Sequence, residues 1–155
     1  MVADNLSQNF SLRFAMADPD AFVRSGKVRE VYRRELAARD IPGDTVAGAT
    51  APMFGIAWEL ANVRSLSSSD NAAILRQATD ALSGDPLEQQ GDEARQAQAD
   101  TALTIAGLWL EEARRRALFP DQMRELSDAV QRDMMKLSGT DMRSRNITST
   151  GFVAR

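Results

Sequence analysis

Apolar residues recur at three- and four-residue steps along most of this chain, and only one stretch alternates with a period of two. The clearest example is Met123, Leu126, Val130, Met134 and Leu137, a narrow apolar seam on one helix face suited to a single partner helix. The exception lies near the start, where Phe10, Leu12, Phe14 and Met16 alternate with Ser11, Arg13 and Ala15 as in a short amphipathic strand. A strand by itself leaves backbone donors and acceptors unmatched, so this one needs an edge to join. The pattern therefore predicts an all-α chain with one short N-terminal strand.

Composition agrees. Hydrophobic residues make up 43% of the chain and aromatics 6%, with alanine filling much of the apolar share. Small side chains suit close helix packing better than a sandwich rich in valine, isoleucine and aromatics. At 155 residues a single domain with its own core is expected. Arginine outnumbers lysine 17 to 2, the usage of a GC-rich bacterial or phage genome.

Proline, glycine and capping residues divide the chain into about five helices. Asp18-Pro19-Asp20 opens the first, near 19–39, which Asp40-Ile41-Pro42-Gly43-Asp44 ends. The second is expected near 51–64, beginning at Ala51-Pro52. Its Gly48, Ala49, Gly55, Ala57 and Ala61 would let a neighbouring backbone approach closely. The third, near 70–83, follows a serine-rich linker and turns Ile74, Leu75, Ala78 and Leu82 inward. A long fourth helix near 92–119 starts polar and becomes apolar through Leu103, Ile105, Leu108, Trp109 and Leu110. Pro120 starts the fifth, near 120–137, which carries the seam. The organisation is then an N-terminal arm over 1–17, a helical domain over 18–137, and a polar C-terminal arm over 138–155. Apolar side chains in that last arm are confined to Met142, Ile147, Phe152 and Val153.

The chain contains no cysteine and no histidine. Disulfides, thiolate nucleophiles, Ser-His-Asp sites and zinc–thiolate sites are thereby excluded. Catalysis would have to run on carboxylates, arginines, hydroxyls, Tyr32, Lys27 or Lys136. Glu59, Glu111 and Glu112 lie beside Trp58 and Trp109, and a carboxyl held against tryptophan can become a general acid. However, Glu111 and Glu112 precede Arg114, Arg115 and Arg116 at the spacing of ordinary helical ion pairs, which is the simpler reading. Ser25-Gly26-Lys27 lacks the first glycine of a phosphate loop, because Ala21 stands in its place. Without a calcium-loop pattern either, no catalytic residue, metal site or cofactor is assigned.

The net charge of −3 shows no global basic signature. Residues 24–39 carry a net +4 and residues 80–100 a net −5, so mutual attraction of the two regions is simpler than nucleic-acid binding. The longest uncharged stretch, Thr45 to Trp58, has fourteen residues, short of the roughly 20 a bilayer span needs. No secretory signal is visible at Met1-Val2-Ala3-Asp4, so a cytoplasmic location or a place in a virion or other large assembly is expected.

These features fit a non-enzymatic structural or adaptor subunit of an oligomeric assembly, its partners being protein subunits, including copies of itself. The arms would order on partner chains, with Phe10, Leu12, Phe14, Met16, Phe152 and Val153 in contact and the seam Met123, Leu126, Val130, Met134 and Leu137 against a helix. A carboxylate-based enzyme or small-ligand protein is the alternative, and a helical DNA-binding regulator the third.

Overall fold

The computed structural model describes residues 16–42, 45–83 and 91–155. They form a helical bundle, as the sequence predicts, with six helices and one small sheet. Phe10, Leu12 and Phe14, and the strand expected around them, lie outside the described residues.

Where one helix is expected over 19–39 there are two, α1 (Pro19–Arg24) and α2 (Lys27–Ala38). Asp18 caps α1 by accepting the Ala21 N–H at 2.8 Å. Gly26 then sits at φ +79, a left-handed conformation that a continuous helix excludes and that glycine adopts without penalty. The Ser25 hydroxyl donates to the Phe22 carbonyl at 2.9 Å, satisfying one of the carbonyls released at the break.

The third helix, α3 (Val46–Asn62), begins five residues before its expected start at 51. Pro52 suggests an N-terminus, yet it lies inside the helix, and Thr45 supplies the cap by accepting the Gly48 N–H at 2.9 Å. An interior proline forgoes a backbone hydrogen bond and costs about 3 kcal/mol in an isolated helix. Here Pro52 is fully buried, and packing offsets that cost. Most of α3 is buried around its whole circumference, from Ala47 to Ala61, as expected of a central helix.

α4 (Ser68–Leu82) starts from a capping box in which Ser67 and Asp70 bond reciprocally. α5 (Asp92–Arg116) is exposed over its first two turns and largely buried from Ala102 to Glu112, the polar-to-apolar grading seen in the sequence. It stops at Arg116 rather than 119, since Phe119 takes an extended conformation ahead of Pro120. α6 (Pro120–Ser138) follows, close to its expected limits.

α3 packs on α4, α5 and α6, and α2 packs on α5. The α2–α5 crossing is close: a Cβ at Gly107 would lie 2.5 Å from Val28 Cγ2 and 2.8 Å from the Val28 carbonyl oxygen. Tyr32, Ile56, Trp58, Ile105, Trp109, Leu126, Val130 and Met134 form the main core. A smaller cluster joins Met16 to Val28 and Leu108.

Residues read from sequence as a C-terminal arm fold back onto the helices. A 3₁₀ turn, Met142–Ser144, leads into β1 (Arg145–Thr148) and β2 (Gly151–Ala154), an antiparallel hairpin pairing Ile147 with Phe152. Met142 is fully buried in the main core, and Ile147 and Phe152 pack against its edge. The intervening Ser149-Thr150 lacks the Asn-Gly or Asp-Gly pattern that announces a tight hairpin, and four-residue strands are too short to show clear alternation.

Candidate interaction surfaces

The carboxylates beside the tryptophans are all engaged. Glu111 accepts from Arg114 at 2.7 Å and Arg115 at 2.8 Å, and Glu112 from Arg116 at 2.9 Å, the helical pairs their spacing predicts. The Arg114 hydrogen bond, with that of Arg115, outweighs burial and holds Glu111 below the usual carboxylate range. A general acid requires the opposite shift. Glu59 accepts from Arg39 at 2.5 Å and from the Leu66 N–H at 2.7 Å. Arg39 also reaches Glu35 and Asn71, tying α2, α3 and α4 together. Burial works against its charge, but Glu59 and Glu35 more than compensate and keep the guanidinium protonated.

Of the N-terminal candidates, Met16 is described. Its side chain is buried against Val28 and Leu108, and its backbone N–H donates to Glu112 Oε1 at 3.2 Å. Glu112 is itself completely buried. The chain is therefore anchored to α5 at residue 16.

Along the seam, Leu126, Val130 and Met134 are buried in the core, where α3 and α5 of the same chain pack on α6. Met123 is partly buried at the core edge, and Leu137 is about half exposed. The structure thus separates five residues that look alike in sequence into an inner set and a rim.

Phe152 and Val153 are half-buried on β2. The Gln77 amide on α4 takes both backbone groups of Phe152: Oε1 accepts its N–H at 2.8 Å, and Nε2 donates to its carbonyl at 2.9 Å. Gln77 replaces a neighbouring strand and covers that edge of the hairpin. On the other strand, Trp58 Nε1 donates to the Arg145 carbonyl at 2.9 Å. Asn62 donates to the Met142 carbonyl, and Arg76 to that of Ser149. Arg143 reaches the Ala61 carbonyl, Ser127 and Asp128. These partners stand 73 to 87 positions apart where they join the hairpin to α3 and α4, and no local spacing announces them.

Among the described residues, the large apolar side chains left open to solvent lie elsewhere. Leu118 is 87% exposed and Phe119 is 53% exposed, side by side in the turn between α5 and α6. Val63 is 73% exposed at the end of α3 and has φ +52, a left-handed conformation that is strained for a β-branched residue. Met135 and Leu137 are about half exposed near the end of α6. Sequence reasoning placed Leu118 and Phe119 at the end of a helix; their position just before Pro120 is the signal for a corner.

A cleft of about 1050 Å³ opens between α2, the first turn of α3, the end of α4 and α5. Leu36, Ile41, Ala49 and Leu103 contribute apolar wall, with Arg29, Arg33 and Arg95 among the polar lining. Arg29 pairs with Asp100 at 3.2 Å, joining the basic and acidic regions of the sequence within one chain, and Arg95 pairs with Asp92.

No family model, curated protein or solved structure matches this chain. Its functional reading therefore rests on these residues. Among the described residues, no helix is long and apolar enough to cross a membrane.

Proposed function

We propose that this protein is a structural or adaptor subunit of a larger protein assembly, with other subunits, copies of itself included, as its partners. The observation that carries the reading is the corner Leu118-Phe119, two large apolar side chains held open at a helix–helix turn. Isolated exposed apolar residues are ordinary, but an adjacent exposed Leu–Phe pair on a fixed corner is a compact anchor of the kind that interface cores use. Val63 supports the same reading, because it combines backbone strain with a solvent-facing apolar side chain, a combination that folding stability alone does not favour.

Light scattering across the micromolar range tests the proposal. The expected result is a mass that is a multiple of the 17.0 kDa chain, or a stable heavier complex with a partner subunit. Replacing Leu118 and Phe119 with Asp is expected to lower that mass while leaving helical circular dichroism unchanged. Removing residues 1–14 tests the N-terminal arm separately and leaves the Met16 amide that bonds Glu112 intact. A full-length chain that stays monomeric throughout, together with a double variant that binds every partner as tightly as wild type, would overturn the reading.

A further inference from the structure

We draw no further inference here: the strongest candidate, the cleft between α2, the first turn of α3, the end of α4 and α5, has two of its three arginines already paired with Asp100 and Asp92, and nothing in the structure shows what covers it.

Discussion

Gln77 illustrates how much one side chain can settle in this protein. A single amide satisfies both backbone groups of Phe152, and Gly151 beside it leaves no room for a side chain. Replacing Gln77 with Ala is expected to destabilise the fold by about 1–3 kcal/mol, measured by urea unfolding, since two half-buried backbone groups lose their partner. Glu at the same position can accept the Phe152 N–H but, when ionised, cannot donate to its carbonyl, so amide exchange at the hairpin should rise there too. Glu112 is the second such residue. Its neutral replacement Gln removes the carboxylate facing buried Arg116 and is expected to cost about 3–5 kcal/mol in the same assay. Asp141 is one of the groups that make stability sensitive to acid. The Gln131 amide, followed by the N–H groups of Ser144 and Arg143, holds its carboxyl below the usual range. A depressed folded value means that the stabilisation is complete above the unfolded value of about 3.9 and disappears as pH falls through the folded one. Asp141→Asn should therefore flatten the loss of stability below about pH 4, followed by thermal unfolding against pH.

Among the elements, the close α2–α5 crossing is the most sensitive to substitution. Ala at Gly107 would drive a methyl group into Val28, including its backbone carbonyl, so the helices must separate. A loss of about 1–3 kcal/mol in chemical unfolding is expected, with helix content preserved below the transition. Val63 works in the other direction. Gly there relieves the left-handed strain at the end of α3 and should raise stability by about 1 kcal/mol, visible as a higher Tm. Helices of this type were legible in the sequence wherever period and punctuation agreed. α4 and α6 fall within two residues of expectation, because a serine cap and a proline mark their starts. Gly26 and Pro52 misled because each has two meanings. A glycine can sit within a helix or break it, and a proline can open a helix or be buried inside one. Packing, invisible to local pattern, decided both. The hairpin was hidden for a related reason: its stability comes from Gln77, Trp58 and the core around Met142, far away in sequence.

For the whole molecule, the distinction between inward and outward apolar residues is the main gain over the sequence. Periodicity identified the seam, and three of its five residues turned out to face helices of the same chain. The exposed side chains of Val63, Leu118 and Phe119 have no periodic signature, and their exposure is read from the three-dimensional arrangement. The hairpin also has a consequence in time. Ribosomes make Trp58 and Gln77 long before they make Met142 and Phe152. A chain that stops short of Met142 lacks both the side chain that fills this part of the core and the backbone groups that the Gln77 amide holds. The hairpin can take its place there only once residues 142–154 have been made. Until then the apolar surface that Met142, Ile147 and Phe152 cover in the finished protein has no cover.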